Sequence, residues 1–435
     1  MRKFLSSAAL VAMALPLLTG GANAAASDVC KGQDINILME TVPDTTALQG
    51  VKDEFEKQSG AKVNIEAVNY SLMHEKLVPS LTASTGTYNV LIVDSYWVGE
   101  FKTAGWIMPL DDLIARDKVD TGVYVPSLME LNGKVDGTTY MLPFWQYAMG
   151  LLYRKDIVDD PAFQAAYKEK FQRDWRLPES LEEYAEVAKW AGEYKKMYGV
   201  AMAGQRADPV VMEATNYLFS EGGDFYDRNS WKSTMDSPEA AKAVGVYADL
   251  MKNAAQPGAL GANFDDVANT LKQGKAIFSI SYLFLFPTLQ DPKDSQVVDK
   301  MMFAPMPGKD SFLGAWGWAI PSNAPNKDCS WEFLKWVESK DVALKRAMAG
   351  GQPTQAWIYD DKDFIAKWPM MAQVGDALKH AKGLPIMSRS TQLVETFAEV
   401  LGAVLADGAK PEEALEESVP KFNRLVKGDP LLHKQ

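Results

Sequence analysis

A short apolar run restricts the fold of this chain more than any other feature. Residues 90–93 read Val-Leu-Ile-Val and end at Asp94. Uninterrupted apolar strands are typical of parallel sheets that are covered on both faces. Two earlier strands are predicted around residues 35–39 and 63–67, and apolar residues recur at helical spacing between them. This order predicts an α/β fold with layered domains around a mainly parallel sheet.

Length and charge limit the number of domains and the class of partner. The chain has 435 residues, with 45 Lys and Arg against 57 Asp and Glu, and a formal charge of −12. At about 150 residues per domain, two or three domains are expected. No flexible linker is evident, so the domains should be joined by several strands. An acidic chain without a basic block is a poor ligand for nucleic acid or anionic lipid, and neither partner is expected.

The N-terminus has the pattern of a secretory signal peptide. Arg2 and Lys3 precede an apolar stretch over residues 8–18, and Ala22 and Ala24 complete a small-x-small motif. The apolar stretch is too short to span a bilayer as a helix. We therefore expect residues 1–24 to be removed near Ala24 and the mature protein to be periplasmic.

The chain has two cysteines, Cys30 and Cys329. In an oxidising compartment such a pair predicts a disulfide, with two unpaired thiols as the alternative. The three histidines are far apart in sequence and have no Cys or acidic partner at metal-ligand spacing. No metal and no cofactor is expected.

Enzyme motifs are absent from the sequence. We find no nucleophile elbow, no phosphate-binding loop, no H-E-x-x-H and no dinucleotide-binding glycine motif. Catalysis is therefore not expected. An exported glycoside hydrolase stays open as an alternative, because 57 acidic residues could always supply two opposed carboxylates.

Aromatic and polar residues cluster at predicted strand ends and in loops. Aromatic faces pack on the C–H faces of sugars, while carboxylate, amide and guanidinium groups bind hydroxyls. In an α/β sheet, ligands bind at the carboxyl ends of strands, where Asp94 lies. Each candidate has a structural alternative: Trp97 could fill the core, Asp94 could cap a helix, and Arg206 could pair with Asp208. The candidate ligand-binding residues are Asp94, Trp97, Trp145, Gln146, Tyr147, Gln205, Arg206, Tyr282 and Trp316.

Several segments, in order, resemble one known family. The chain is similar to extracellular solute-binding proteins of carbohydrate ABC transporters, the group that includes maltose-binding protein. The likeness covers nearly the whole mature chain, and its order and spacing are more specific than any single segment. The segments are residues 88–94, 101–112, 140–143, 152–156, 237–241, 314–321 and 350–354.

The resemblance implies a two-lobed periplasmic binding protein fold of type II, with a ligand cleft between two α/β lobes. By this analogy, residues 28–142 and 276–322 form the first lobe, and residues 143–275 and 323–435 form the second. The positions that match Asp94, Trp145 to Tyr147, Tyr282 and Trp316 often face the cleft in the family.

Two positions depart from the family pattern. Relatives often carry Arg after the Gly-Gly-x-Pro-Thr segment, where this chain has Gln355. Trp145 and Gln146 also replace an acidic residue that many relatives use. Both departures bear on the identity of the ligand and not on its class.

The resemblance implies a monomeric receptor that captures a neutral sugar or sugar alcohol by lobe closure. The receptor would then deliver its ligand to the permease subunits of an ABC importer. A binding protein for a non-sugar solute, such as a peptide, polyamine or phosphorylated solute, is the second alternative.

Overall fold

The computed structural model describes residues 28–308 and 310–432. The predicted signal peptide, residues 1–24, lies outside the described residues. Within the described ranges, no helix combines the length and the apolar character needed to cross a membrane.

The elements alternate between strand and helix along the first 140 residues and again in the middle of the chain. The strands are β1 Asp34–Glu40, β2 Lys62–Val68, β3 Val90–Asp94, β4 Lys134–Val135, β5 Thr138–Thr139, β6 Leu142–Arg154, β7 Tyr198–Val200, β8 Ala276–Tyr282, β9 Met301–Ala304, β10 Ser311–Ala319 and β11 Ala381–Lys382. The α-helices are α1 Pro43–Ser59, α2 Tyr70–Thr82, α3 Val98–Thr103, α4 Asp111–Asp117, α5 Pro126–Leu128, α6 Lys155–Val158, α7 Pro161–Phe171, α8 Leu181–Lys195, α9 Asp208–Ser220, α10 Pro238–Asn253, α11 Phe264–Lys272, α12 Phe286–Leu289, α13 Lys327–Val337, α14 Lys340–Met348, α15 Lys362–Lys367, α16 Met371–Ala377, α17 Ser390–Leu405 and α18 Pro411–Val426. Short 3-10 segments occupy Thr121–Val123, Ala259–Gly261, Leu283–Leu285, Ala356–Asp360 and Leu378–His380, and one π segment occupies Met129–Gly133.

The main sheet has the strand order β2-β1-β3-β10-β6-β8-β7, with β9 paired to β6 and β11 paired to β10. The predicted parallel arrangement holds for β2, β1 and β3 at one end and for β8 and β7 at the other. In the middle, β10 and β6 run antiparallel to each other and to β3 and β8. The fold is therefore α/β with parallel outer parts and an antiparallel centre.

Two long strands join the two lobes. The C-terminal half of β10 pairs with β3 in the first lobe, while the C-terminal half of β6 pairs with β8 and β9 in the second. Because β6 and β10 also pair with each other, the lobes share two crossing strands instead of one flexible tether. This arrangement agrees with the expectation that strands, and not a single flexible linker, connect the domains.

The strand pairing and helix packing differ from the division of the chain that the resemblance implied. The resemblance places residues 276–304 in the first lobe. In the structure, β8 pairs with β6 and β7 of the second lobe, and β9 pairs with β6. Residues 327–348 were grouped with the second lobe, but Phe333 of α13 packs on Phe55 of α1 with ring centroids 5.2 Å apart. The remaining C-terminal helices do follow the second lobe, since Phe397 and Phe422 both pack on Phe225.

A disulfide joins Cys30 to Cys329, with their Cα atoms 5.0 Å apart. Both residues are buried. The bond ties the start of the described chain to α13, and it is one physical reason why α13 belongs with the first lobe.

Local signals fix the starts of several helices. Ser180 accepts a hydrogen bond from the backbone N–H of Glu183 at 3.2 Å, and Ser237 accepts one from Ala240 at 3.2 Å. These side-chain N-caps fix the starts of α8 and α10. By contrast, α9 begins after Ala207, whose φ of 115° and ψ of −142° lie in a region that favours glycine.

Candidate functional site

The centre of the site is a row of three side chains on three neighbouring strands. Trp316 of β10 lies opposite Asp94 of β3 on one side and opposite Trp145 of β6 on the other. Directly paired residues of antiparallel strands project from the same face of a sheet. The row therefore places one carboxylate beside two indoles, and the centroids of the two indoles are 5.5 Å apart.

Two phenols extend this row toward the second lobe. Tyr147 lies two residues beyond Trp145 on β6 and therefore shares its face, and Tyr282 of β8 pairs with Met149 on the same face. The two phenol rings are 6.0 Å apart. Gly314 lies between them, where an added Cβ would lie 3.4 Å from Tyr282 and 3.5 Å from Tyr147.

Further rings make the surface continuous. Trp97 packs edge to face on Trp316 at 5.5 Å, and Tyr70 stacks on Trp97 at 5.6 Å. At the other end, Phe264 packs on Tyr282 at 4.8 Å. We call this set the aromatic wall; its members are Tyr70, Trp97, Trp316, Trp145, Tyr147, Tyr282 and Phe264.

Four carboxyl groups lie next to the aromatic wall. Glu40 ends β1, Asp94 ends β3, Asp44 begins α1 and Asp208 begins α9. The first three come from the first lobe and Asp208 comes from the second. Carboxyl ends of strands and N-termini of helices are the usual ligand-binding edges of α/β lobes.

Burial raises the pKa of each of these four carboxyl groups. Burial raises the pKa of Glu40 to about 8, and the charges of Asp94 and Asp44 add to the rise. Burial also raises the pKa of Asp94 to about 8, and the charge of Asp208 contributes. The pKa of Asp44 rises to about 7 and that of Asp208 to about 6, again mainly through burial.

Two tyrosine hydroxyls connect the carboxyl groups of the two lobes. The hydroxyl of Tyr70 lies 3.5 Å from Oδ2 of Asp94 and 2.5 Å from the hydroxyl of Tyr96. The Tyr96 hydroxyl in turn donates to Oδ1 of Asp208 at 3.3 Å. We call these four residues the hydroxyl–carboxylate chain.

A groove of about 440 Å³ opens next to this chain, between the lobes. Tyr70 and Trp97 line it from the first lobe, and Arg206, Asp208 and Glu395 line it from the second. Its mixture of ring faces and carboxylates suits a solute with both C–H faces and hydroxyl donors.

Gln146 does not join the candidates on the aromatic wall. It is fully buried, as Trp145 is, but as the residue between Trp145 and Tyr147 it projects from the opposite face of β6. Its Oε1 accepts from the backbone N–H of Ala148 at 2.7 Å, and its Nε2 donates to the hydroxyl of Tyr359 at 3.2 Å. Its side chain is thus engaged inside the protein.

Gln205 and Arg206 are both exposed, and Arg206 lines the groove. Arg206 forms no ion pair with Asp208 in the part of the chain that the structure describes. Its charge instead acts on Glu399 of α17 and lowers the pKa of that carboxyl, next to the larger effect of the Lys421 hydrogen bond.

Gln355, at the position where relatives often carry Arg, is buried away from solvent. Its Nε2 donates to the backbone oxygen of Glu338 at 2.7 Å, and its Oε1 accepts from Nε1 of Trp357 at 2.8 Å. The amide therefore serves the internal packing of this segment.

The structure brings six residues to the site that are not among the candidates from the sequence: Glu40, Asp44, Tyr70, Tyr96, Asp208 and Phe264. Glu40 and Tyr70 could have been found, because they stand at or just beyond the carboxyl ends of β1 and β2, as Asp94 does for β3. Asp44 and Asp208 carry no such local signal, since each begins a helix whose position depends on long-range packing. Among the described residues, no group of three His, Cys, Asp or Glu side chains could hold a metal ion.

Comparisons with known proteins identify the family of this chain. Residues 40–344 match the family model of bacterial extracellular solute-binding proteins. A mannitol-binding protein of Pseudomonas aeruginosa is 25% identical over 85% of this chain and 82% of its own length. A probable amino-acid ABC transporter periplasmic-binding protein of Sinorhizobium fredii is 23% identical over 90% of each chain.

A solved structure of a solute-binding protein has a similar fold. The solute-binding protein of an ABC transporter from Agrobacterium radiobacter K84, in complex with ribitol, superposes with a TM-score of 0.80 and 27% identity. The superposition covers 91% of this chain and 99% of that one. The family match spans well over half of the sequence, and this chain therefore belongs to the bacterial extracellular solute-binding proteins.

Proposed function

We propose that this protein is the periplasmic binding component of an ABC importer and captures a small neutral sugar or sugar alcohol. The observation that supports this most is the aromatic wall with carboxyl groups from both lobes beside it. Rings such as Trp316 offer faces for C–H groups, while Asp94 and Asp208 offer acceptors for hydroxyls. The mannitol-binding relative and the ribitol-bound structure point to the same class of solute.

Capture would follow lobe closure. A solute that contacts both Asp94 of the first lobe and Asp208 of the second stabilises the closed form by its differential affinity for that form. Shifting a population from about 1:99 to 99:1 takes roughly 5.5 kcal/mol of such preference. A few charge-assisted hydrogen bonds at about 1.5–3 kcal/mol each, together with burial of the solute on the rings, are sufficient.

We propose Asp94, Trp97, Trp145, Tyr147, Tyr282 and Trp316 as the solute-binding residues, and we add Tyr70, Tyr96 and Asp208. Arg206 and Gln205 would contact only a solute that extends into the groove. The closed protein, acting as a monomer after export, would dock on the permease subunits of its importer.

The test is thermal-shift screening of the mature protein against mannitol, ribitol, sorbitol, erythritol, glucose, maltose and a set of amino acids. A solute that binds only the folded protein must raise the melting temperature. We expect a polyol or a small sugar to give the largest rise. A rise with amino acids alone would contradict the proposal and favour a non-sugar cargo.

Binding without conversion is part of the same proposal. An exported glycoside hydrolase would need two carboxyl groups about 5–10 Å apart across the substrate. Incubation with maltose and longer oligosaccharides, followed by mass spectrometry, should return every substrate unchanged. Any hydrolysis product that disappears in an Asp94→Asn variant would overturn the transport assignment.

A further inference from the structure

Among the described residues, the hydroxyl–carboxylate chain has few donors for its acceptors, although the Trp97 side chain also hydrogen-bonds to the Tyr96 hydroxyl. Tyr70 and Tyr96 each have one hydroxyl proton, and the two hydroxyls also face each other at 2.5 Å. Asp94 receives additional but long contacts from Oγ of Ser95 at 3.3 Å and from the backbone N–H of Tyr96 at 3.4 Å. Asp208 receives the Tyr96 hydroxyl at 3.3 Å. A buried carboxylate that accepts so few hydrogen bonds is costly to bring close to a second carboxylate.

The surroundings add negative charge rather than relieve it. Three acidic residues face the first-lobe end of the hydroxyl–carboxylate chain: Glu40, Asp44 and Asp265. Glu395 of α17 faces Asp208 at the other end. The hydroxyl of Tyr282 also lies close enough for the charges of Asp94 and Asp208 to raise its pKa. The guanidinium of Arg206 at the groove acts on Glu399, and Nε2 of His74 lies 3.1 Å from Oε2 of Glu100. Arg346 acts on Asp44.

The backbone holds Asp208 in this position. Ala207, which precedes it, has a φ of 115° and therefore a conformation that L-residues rarely adopt. Such residues persist only where the surrounding structure fixes them, and they are concentrated at ligand clamps. The position of the Asp208 carboxylate beside Tyr96 is thus set by the fold and not by a freely rotating loop.

We propose that Asp94 and Asp208 are the specificity-determining pair of the cleft: their charges oppose closure of the empty cleft, and only a solute that donates hydroxyl hydrogen bonds to both offsets that opposition. The proposal rests on the proposed function for the nature of the solute, but the opposition to closure is a property of the solute-free protein. An anionic solute, such as a sugar acid, would add a third negative charge between the pair and would be rejected.

Closure of the empty cleft should therefore take up protons. In this structure, where the Tyr96 hydroxyl donates to Asp208 across the lobes, the pKa of Asp94 is about 8 and that of Asp208 about 6, whereas both would be near 4 in an open cleft filled with water. Lowering the pH through this range neutralises the pair and favours the closed form. Each unit by which closure raises a pKa changes the closed-to-open ratio by up to about tenfold.

Pulsed electron paramagnetic resonance on the solute-free protein tests this. Spin labels on Glu75→Cys of α2 and Gln392→Cys of α17 would report the width of the groove, since both native side chains are exposed. The native cysteines are joined to each other and do not compete for label. We expect the closed-to-open ratio of the unsubstituted pair to rise at least about tenfold between pH 8.5 and pH 5.5.

Three variants distinguish the effect of the Asp94 and Asp208 pair on closure from a general effect of negative charge at the groove. Asp208→Asn should raise the closed-to-open ratio about tenfold at pH 7.5 and weaken its pH dependence. Tyr96→Phe should lower the ratio, because it removes the donor to Asp208. Glu395→Gln is the matched control, because it removes a neighbouring charge that is not part of the hydroxyl–carboxylate chain. We expect it to change the closed-to-open ratio much less. Equal effects of Asp208→Asn and Glu395→Gln, or no effect of pH, would overturn the proposal.

A second measurement tests the specificity itself. The polyol that gives the largest thermal shift is compared with its aldonate, for example sorbitol with gluconate, by titration calorimetry at pH 7.5. An aldonate that binds as tightly as its polyol would contradict the role of the pair. If no polyol binds, the proposed function fails, yet the solute-free distance measurements still decide whether the pair opposes closure.

Discussion

At the residue scale, the site could be predicted where a strand-based rule applied. Asp94 follows from its place at the end of a buried strand, and Trp316 and Trp145 meet because paired strands place opposite residues on one face. The same alternation explains why Gln146 lies elsewhere: a residue between two site residues on a strand must project from the other face. Asp208 could not be predicted, because its approach to Tyr96 joins residues 112 positions apart.

The contribution of Trp316 is the first prediction at this scale. Its indole is central to the aromatic wall and contacts both Trp97 and Trp145. Trp316→Ala should weaken solute binding by roughly 1–3 kcal/mol, because it removes the ring on which we propose that the solute packs. Titration calorimetry with the best polyol of the screen measures this. Trp106→Ala, which removes an indole of the first lobe away from the wall, should leave affinity unchanged. Retained affinity in a folded Trp316→Ala protein would rule out the stacking role.

At the element scale, helix starts were predictable and lobe membership was not. Ser180 and Ser237 carry local capping signals that need no tertiary contact. The placement of β8 and α13 depends instead on strand pairing and on a disulfide between residues 299 positions apart. A sequence pattern read over short windows contains neither kind of information.

The junction between α3 and the segment before α17 gives a prediction at this scale. A Cβ on Gly99 would clash with the backbone oxygen of Met387, and a backbone atom cannot rotate away. Gly99→Ala should therefore destabilise the protein by about 1–3 kcal/mol. The matched control is Gly402→Ala within α17, where nothing lies within 4 Å of the added carbon. That variant should stabilise by about 0.5–1 kcal/mol. Urea unfolding compares the two, and equal stabilities would show that the junction tolerates a side chain.

At the scale of the whole molecule, two crossing strands join the lobes, and one disulfide ties the start of the described chain to α13. The crossing strands β6 and β10 were anticipated only as several connections of unspecified number. The pairing of Cys30 with Cys329 was one of two alternatives from the sequence, and the structure joins them. What decides between bond and free thiols is the distance between α13 and the start of β1, which no local pattern reports.

The disulfide should stabilise the folded protein by restricting the unfolded chain. Replacing both cysteines with Ser should cost about 2–5 kcal/mol, because a bond that closes so long a loop removes much entropy from the unfolded state. Thermal unfolding with and without dithiothreitol measures this. The native protein should lose stability on reduction, whereas the double variant should be insensitive to it. Solute affinity at a temperature where both are folded should be the same, since the bond lies away from the aromatic wall.

The buried carboxyl groups make a last prediction about the whole molecule. Burial on folding raises the pKa of Glu40 and Asp94 to about 8 and that of Asp44 to about 7. Because the folded state then binds more protons than the unfolded state, stability is greatest at low pH and is lost as the pH rises through these values. Groups with a lowered pKa, such as Asp117 beside Arg116, act in the opposite direction, but only at strongly acidic pH.

Scanning calorimetry of the solute-free protein should therefore show a melting temperature that falls between pH 6 and pH 8.5. A loss of 1 kcal/mol corresponds to roughly 2–4 °C for lobes of this size. Glu40→Gln should flatten the dependence, because its neutral amide replaces a carboxyl that must otherwise ionise in a buried site. Glu66→Gln is a suitable control, since Glu66 pairs with Lys76 near the surface and its pKa is lowered. A melting temperature that rises across this range would mean that the four carboxyl groups are hydrated in solution and that the solute-free cleft is open.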